Sequence, residues 1–278
     1  MNYRHAFHAG NFADCAKHAL IHAIVAALLR KPAPFRVLDT HAGIGAYDLQ
    51  ATEARRTGEW RDGIGRLSRV MDGPLLPWLD AVRRFGPATY PGSPALLRAM
   101  LRPDDRLVLC ELHPEDAATL RAAYRRDPAV AVHARDGYEA AAALTPFPER
   151  RGLVLLDPPF EAADEFARLA DAVARLHRRF ATGVIAAWYP VKGRAPSRAF
   201  RDGIAASGIR DVLALELHLR APTDPARLNG CGLLVVNPPF VAPGGFEAAA
   251  RGILGALLRH LSDGEPGAGA EVIRVAPE

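Results

Sequence analysis

The segment of this chain best suited to chemistry is Asp157-Pro158-Pro159-Phe160, which closes the apolar run at residues 152–156. An apolar run of that length predicts a strand buried inside a parallel sheet. The two prolines restrict the backbone directly after the strand. A carboxylate and an aromatic ring are therefore presented at a strand's carboxyl end, which is where ligands bind in open α/β sheets.

This tetrapeptide suits methyl transfer to a planar exocyclic amine such as that of adenine. The amine nitrogen is a poor nucleophile because its lone pair is delocalised into the ring. Acceptors for both N–H bonds, here the Asp157 carboxylate and the Pro158 carbonyl, can pull the nitrogen toward a pyramidal geometry and free the lone pair. Phe160 offers a stacking face worth ~1–3 kcal/mol per base. Asp157 can accept the proton once the nitrogen is cationic, and a stacked adenine must first be extruded.

The tetrapeptide also has a simpler explanation, since Asp-Pro-Pro-Phe can be only a turn that ends a strand. A second copy of the pattern, Asn237-Pro238-Pro239-Phe240, follows a later apolar run. Strand counting separates the two copies. Asp157 ends the fourth predicted strand, which neighbours the first in the usual order, whereas Asn237 ends the seventh. We therefore expect residues 237–240 to have a packing or turn role.

Three other predicted strands end in residues that suit an adenosine-type cofactor. The first is followed by Asp39-Thr40-His41-Ala42-Gly43-Ile44-Gly45, whose glycines let the backbone approach a ligand closely. The second ends at Glu111, an acceptor for ribose hydroxyls. The third precedes Asp136-Gly137, placed to meet an adenine amino group. Each acid alone is as well explained by a turn or a helix cap.

The type of cofactor follows from what the first loop lacks. It has neither the third glycine of the dinucleotide fingerprint nor the Gly-Lys-Ser/Thr of a phosphate loop. Nothing at these strand ends is built to hold pyrophosphate. A cofactor with adenine and ribose but no phosphate fits best, and S-adenosylmethionine is such a molecule.

Strands that alternate with helices predict an α/β fold with a mainly parallel, doubly wound sheet. A helix is predicted over residues 11–30. Seven strands are predicted at residues 35–39, 106–111, 130–133, 153–156, 184–188, 212–219 and 232–236. Only a loop separates the last two, which predicts an antiparallel hairpin at the sheet edge. Residues 48–94 break the pattern and are interpreted as a small helical insertion within one domain, 1–278.

Composition and charge fit a soluble globular protein, with 278 residues, 49% apolar and 24% charged. The chain lacks the long uncharged apolar run of a membrane span and the layout of a secretory signal, so we expect a cytoplasmic protein with no membrane partner. The net charge of +4, carried mostly by arginine, permits nucleic-acid binding without requiring it. The three cysteines are scattered, and we expect neither a disulfide nor a metal site.

Several longer motifs carry a resemblance to a known family. They are YRHAFHAGNFADCAKH at residues 3–18, Asp39-Thr40-His41-Ala42-Gly43, Arg56-Thr57-Gly58-Glu59, Tyr90-Pro91-Gly92-Ser93-Pro94, Glu111-Leu112-His113-Pro114, Asp157-Pro158-Pro159 and Trp188-Tyr189-Pro190. On these residues, nearly the whole chain resembles the RlmJ family of adenine-N6 methyltransferases of large-subunit ribosomal RNA. One departure is Phe160, where tyrosine is usual; stacking survives, but a hydrogen bond from the hydroxyl does not. The other departure is the arginine-rich insertion, which does not align closely.

The resemblance implies a Rossmann-like class I fold that uses S-adenosylmethionine to methylate N6 of adenine 2030 in 23S ribosomal RNA, with the protein acting as a monomer. It implies that the catalytic residues are Asp157, Pro158 and Phe160. It implies that the cofactor contacts are His18, His41, Ser93, Glu111, Asp136, Gly137 and Asp157. It also implies that Tyr3, His5 and Lys17 lie at the RNA.

Two further functions stay open at this point. A methyltransferase acting on DNA adenine or on a protein glutamine amide would present the same planar NH2 group to the site. DNA methylation usually needs a target-recognition domain, and the chain offers only a short insertion. A non-catalytic RNA-binding protein could keep the fold, although the intact Asp157 and glycine loop argue against it.

Overall fold

The computed structural model describes residues 4–241 and 244–278, so Tyr3 lies outside the described residues. The strands are β1 Arg36–Asp39, β2 Ala46–Asp48, β3 Thr89–Pro91, β4 Arg106–Glu111, β5 Val130–Ala134, β6 Gly152–Leu156, β7 Val184–Val191, β8 Val212–His218, β9 Gly230–Val236 and β10 Gly269–Ala276. The α-helices are α1 Phe12–Leu29, α2 Thr52–Thr57, α3 Ile64–Leu67, α4 Leu76–Arg83, α5 Ser93–Met100, α6 Pro114–Tyr124, α7 Gly137–Leu144, α8 Glu165–Arg179, α9 Arg194–Ala206 and α10 Gly245–Leu261. Short 3₁₀ turns occupy His5–Phe7 and Glu59–Arg61.

The central sheet confirms the predicted α/β class. Its strand order is β10-β8-β9-β7-β6-β1-β4-β5. The five strands from β7 to β5 run parallel to one another. β9 is antiparallel to both of its neighbours, β7 and β8, so β8 points in the same direction as β7. The switch from parallel to antiparallel pairing falls where the connections change from helices to a loop, as expected for such sheets.

The predicted strand count and the predicted edge are both corrected. The sheet has eight strands, because β10 pairs antiparallel with β8 and forms the edge that the β8–β9 hairpin was expected to form. β8 is buried along almost its whole length, so its outer backbone groups need hydrogen-bond partners. β10 supplies them. It escaped prediction because its side chains are mostly half-exposed and include Glu271 and Arg274.

Helices cover both faces of the sheet. α1, α4, α5 and α10 contribute to one apolar core, and α7, α8 and α9 contribute to the other. α1 begins at the cap Asn11, whose side-chain oxygen accepts from the Asp14 amide. By length and hydropathy α1 is the one helix among the described residues that could cross a membrane, but 72% of it is buried inside the protein. That burial accounts for its apolar composition.

The segment predicted as an insertion is closed by a small sheet of its own. β2 and β3, at its two ends, pair antiparallel from Ala46↔Pro91 to Asp48↔Thr89. The Gly92 amide then donates to the Gly45 carbonyl at 2.9 Å, which brings the start of α5 against the loop after β1. The two ends of the segment therefore lie together, and the interpretation of residues 48–94 as a small insertion stays a prediction.

The insertion also contacts the N-terminal segment at Gly63, where a side chain would collide with the backbone. The Ile64 amide donates to the Gly10 carbonyl at 2.9 Å, and a Cβ at Gly63 would lie 2.1 Å from that same oxygen. Because the obstacles are backbone atoms, Gly63→Ala is expected to destabilise the protein by ~1–3 kcal/mol. Gly203→Ala is the control, since Gly203 lies in α9 with nothing within 4 Å of its Cβ position. Denaturant unfolding of both variants measures the difference, and equal stabilities would contradict this packing.

Candidate active site

Four strand ends that the sequence singled out lie side by side. β6, β1, β4 and β5 are consecutive and parallel in the sheet, so their carboxyl ends share one edge. The loop after β1 is bonded to both neighbours: the Thr40 amide donates to the Leu155 carbonyl at 3.1 Å, and the Ala42 amide to the Cys110 carbonyl at 2.9 Å. Asp157, the glycine loop, Glu111 and Asp136 therefore follow one another along this catalytic edge.

The second Asp/Asn-Pro-Pro-Phe copy lies at the opposite edge. β9 is antiparallel to β7, with Ile185 opposite Val236, so Asn237 emerges where β7 begins. Its side-chain amide donates to the carbonyls of Ala181 and Gly183, both at 2.8 Å. The structure thus gives Asn237 the turn role that was predicted from strand counting.

Glu111 organises the loops on either side of β4. One carboxylate oxygen accepts from the Gly43 amide at 2.8 Å and the other from the His113 amide at 2.8 Å. Each carboxylate oxygen can accept more than one hydrogen bond. Glu111 is therefore fixed in place by the backbone and keeps acceptor capacity for a pair of hydroxyls.

Asp136 and Gly137 form the next wall of the edge. Asp136 caps α7 by accepting from the amides of Tyr138 and Glu139 at 2.8 and 3.0 Å. A Cβ at Gly137 would lie 2.2 Å from the Thr40 carbonyl, so the loop after β5 touches the loop after β1. This close approach explains why glycine stands at this position.

His41 lies between these loops as a neutral ring. Its Nδ1 is 2.7 Å from the Thr40 hydroxyl, and its ring meets the Tyr138 ring edge-on at 5.4 Å. Burial lowers the pKa of His41 to about 4, although the charges of Asp157 and Asp136 act in the opposite direction. At neutral pH the ring can donate one hydrogen bond and accept another.

Asp39 was placed in the first loop by the sequence analysis but was not assigned a contact of its own. It ends β1, is fully buried, and its Oδ2 has no well-formed hydrogen bond within residues 4–241 and 244–278. Burial raises the pKa of Asp39 to about 7; Ser93 opposes that rise and Asp157 adds to it. Ser93 thus lies beside Asp39, at the start of α5. The available signal was position, because Asp39 is a strand-ending acid like Glu111.

Asp157 belongs to a buried chain of alternating charges. The Lys17 ammonium is 2.6 Å from Asp157 Oδ2 and 3.0 Å from Asp14 Oδ1. Asp14 Oδ2 in turn accepts from the Gly10 amide at 2.9 Å and lies 2.8 Å from His5 Nε2. His5 and Lys17, which the resemblance assigns to the RNA, are thereby joined to Asp157 through α1.

Asp14 is a residue that the sequence analysis missed, since an acid near a helix start is usually a cap. Burial disfavours its charge, but the electrostatic interactions with His5 and Lys17 and the His5 hydrogen bond outweigh burial. They hold the pKa of Asp14 well below its ordinary value. The carboxylate is therefore charged across the whole neutral range and keeps the Lys17 ammonium in place.

Phe160 forms an aromatic wall after Asp157. Its ring packs edge-on against Phe166 at 4.8 Å and against Trp188 at 5.9 Å. Its backbone has φ 51°, in the left-handed region that is costly for a residue with a side chain. Pro158, directly before this turn, is buried. A strained backbone held by packing is typical of functional sites.

His18 on α1 is enclosed by protein and lies against Tyr90. It is 1% exposed, its Nδ1 is 2.9 Å from the Tyr90 hydroxyl, and the two rings stack at 5.5 Å. Burial lowers the pKa of His18 to about 3, so the ring is neutral. Its role at the cofactor stays a prediction. Over the described ranges, no group of three or more His, Cys, Asp or Glu side chains could hold a metal ion.

A groove of about 720 Å³ opens beside Asp136 and Tyr138 and runs between α7 and α8. Arg168 forms part of its wall, with its guanidinium 5.0 Å from the Tyr138 ring centroid. Neither Asp157 nor Lys17 lines it. The groove therefore adjoins the Asp136 end of this edge and not the Asp157 end.

Comparison with known proteins agrees with this geometry. The family described as "Ribosomal RNA large subunit methyltransferase D, RlmJ" matches residues 32–271. Two relatives, both named "Ribosomal RNA large subunit methyltransferase J", come from Escherichia coli K12 and Haemophilus influenzae. They are 39% and 38% identical to this chain, and each match covers 86% of this chain and 88% of the relative. A crystal structure of a Legionella pneumophila protein superposes with a TM-score of 0.85 at 32% identity, over 96% of this chain and 98% of that one. The resemblance seen in the motifs is confirmed: the chain belongs to the RlmJ family of ribosomal RNA large subunit methyltransferases.

Proposed function

We propose that this protein transfers a methyl group from S-adenosylmethionine to N6 of one adenine in 23S ribosomal RNA, adenine 2030. The observation that carries the proposal is the place of Asp157. Asp157 directly follows β6, at the edge of the sheet that it shares with Glu111 and the glycine loop. The Lys17 ammonium lies 2.6 Å from one oxygen of its carboxylate. The names of the two curated relatives supply the class of RNA.

The residues on this edge fit the proposed cofactor. The buried Asp39 oxygen without a well-formed protein hydrogen bond suits a cationic group, and Glu111 suits the two ribose hydroxyls. Asp136 and the neutral His41 line the end assigned to adenine. Ser93 lies next to Asp39. When bound here, S-adenosylmethionine supplies an electrophilic methyl group to the acceptor nitrogen.

The protein's own part in the reaction is to orient and then deprotonate the amine. Lys17 engages Oδ2 of Asp157, which directs Oδ1 to the first N–H bond, and the Pro158 carbonyl accepts from the second. Phe160 supports the extruded base by stacking. When the nitrogen forms its bond to the methyl group it becomes cationic, and its excess proton passes to Asp157. Asp157 need not remove a proton beforehand.

Glu111 gives a direct test of cofactor binding. Glu111→Ala removes the proposed ribose acceptors and leaves the Gly43 and His113 amides without their partner. Each such loss costs ~1–3 kcal/mol, so the Kd for S-adenosylmethionine is expected to rise about 10- to 100-fold. Isothermal titration calorimetry measures this. Glu271→Ala is the control, because Glu271 is exposed on β10, at the edge of the sheet far from β4. A Kd unchanged in Glu111→Ala would remove Glu111 from the cofactor site.

The activity itself is tested with purified protein, S-adenosylmethionine and 23S ribosomal RNA that lacks the modification. The expected result is one N6-methyladenine per RNA, read by nuclease digestion and mass spectrometry. Methylation of duplex DNA or of a protein glutamine instead would identify one of the alternative substrates. RNA binding with no thermal shift from the cofactor would identify a non-catalytic protein. We place the protein in the cytoplasm and propose that it acts as a monomer. Gel filtration with light scattering measures this oligomeric state.

A further inference from the structure

Exposed cations extend the catalytic edge beyond Asp157. β7 is parallel to β6, and Leu156 pairs with Ala187, so Trp188 lies beside Asp157. β7 then continues to Val191, and Lys192 and Arg194 follow at its carboxyl end, both exposed. Four residues of strand at roughly 3.3 Å each place Lys192 about 13 Å beyond the level of Asp157.

A second loop brings Arg227 to the same carboxyl end of β7. Asn229 is fully buried, its amide donates to the Val191 carbonyl at 3.1 Å, and its side chain donates to the Lys192 carbonyl at 2.9 Å. The same side chain donates to the Asp224 carbonyl at 2.7 Å. The loop at residues 220–229, with the exposed Arg227, is therefore fastened to the segment after β7.

These three cations lack the carboxylate partners that their neighbours have. Close by, Arg198 pairs with Asp202 at 3.6 Å and Arg220 with Glu265 at 3.1 Å. No ion pair involves Lys192, Arg194 or Arg227 within the described parts of the chain. Asp224 is the one acid of the loop at residues 220–229, so three cations against one anion leave a local excess of positive charge.

We propose that Lys192, Arg194 and Arg227, here termed the cationic rim, bind phosphates of the substrate RNA on one side of the target adenine. This inference rests on the proposed function. Phosphate is the partner that the rim's chemistry fits, because guanidinium groups bind it in a bidentate manner and exposed cations release its counterions. Contacts of this kind fix the register of a nucleic acid on a protein. The rim would thus set which nucleotide reaches Asp157 and Phe160.

The test compares two double charge reversals of equal size. Lys192→Glu/Arg194→Glu changes the rim, and Arg30→Glu/Lys31→Glu changes two exposed cations that precede β1 at the opposite edge. Fluorescence anisotropy measures the Kd for a 23S ribosomal RNA fragment at several salt concentrations. The rim variant is expected to raise the Kd at least tenfold and to flatten the log Kd–log salt slope by about 1–2. The control is expected to stay within about twofold of wild type.

Two further measurements separate the rim from folding and from catalysis. Lys192→Gln/Arg194→Gln should give an intermediate Kd, while the thermal midpoint and the Kd for S-adenosylmethionine stay at the wild-type values. Arg227→Glu added to the rim variant should weaken RNA binding further. Equal RNA affinity for the rim and control variants would contradict the proposal that the cationic rim binds RNA phosphates. If the wild type binds the RNA yet never methylates it, the proposed function is wrong. The comparison of RNA Kd values between the rim and control variants still shows whether the cationic rim binds RNA.

Discussion

Asp157→Ala is expected to lower the rate of methyl transfer to 23S ribosomal RNA by about 10²–10⁴-fold, the range for a lost catalytic acid–base group. The substitution removes the acceptor that aims the amine and the group that takes its proton. It also removes a carboxylate that holds the Lys17 ammonium, while the ion pair between Lys17 and Asp14 stays in place. Single-turnover kinetics with saturating cofactor and RNA measure the chemical step directly. The Kd for S-adenosylmethionine, measured alongside, separates loss of the chemical step from weaker cofactor binding, since Asp157 is also proposed to border the cofactor.

The matched control for Asp157 is the second copy of its motif. Asn237→Ala alters the same position of an Asn-Pro-Pro-Phe sequence, but at the opposite edge of the sheet. It is expected to cost about 1 kcal/mol of stability, because the exposed Ala181 carbonyl and the part-buried Gly183 carbonyl lose a donor, and to leave the rate of transfer unchanged. Full turnover in Asp157→Ala, or a loss of turnover in Asn237→Ala, would place the chemistry elsewhere.

Asp14→Asn is expected to reduce kcat by about 10²-fold, because a small displacement of a catalytic group is worth that much. Asp14 touches neither the proposed substrate nor Asp157, so it is a positioning residue that acts through Lys17. Loss of its charge makes the Lys17 ammonium less favourable. As pH rises, the variant should lose activity at a lower pH than wild type, while its KM for the cofactor is unchanged.

The shift of this alkaline limb distinguishes positioning from a general loosening of the fold. Lys17 also faces Asp157 and the Trp188 ring, and the side chains of Asp39, His5, His18 and Cys231 lie close enough to interact electrostatically with it or with its partners. Glu59→Gln is the control, because Glu59 holds His8 and Asn11 of the same N-terminal segment but is not a partner of Lys17. An equal shift in Glu59→Gln would show that Asp14 acts only by ordering the segment.

Asp157 could be identified from sequence because its signal is local. The run of five buried residues in β6 and the two prolines after it predict a strand end with an aimed carboxylate. The neighbouring order of β6, β1, β4 and β5 then follows from the usual topology of parallel sheets. The same argument places Glu111 and Asp136 on this edge, since Glu111 ends β4 and Asp136 lies two residues after β5.

What escaped prediction depends on tertiary contacts. The ion pair between Lys17 and Asp157 joins residues 140 positions apart, and neither helix pattern nor spacing contains it. Asp14 was missed because a buried acid in the first turn of a helix looks like a cap. β10 was missed because it is half-exposed and its alternation is broken by charged residues. Its place beside β8 is fixed by the need to pair the edge of a buried strand.

The most direct measurement is mass spectrometry of 23S ribosomal RNA from cells that lack this protein, complemented with either the wild-type chain or Asp157→Ala. One N6-methyladenine is expected to disappear with the protein, to return with the wild-type chain and to stay absent with Asp157→Ala at equal protein abundance. Persistence of that modification without the protein, or its return with Asp157→Ala, would contradict the account.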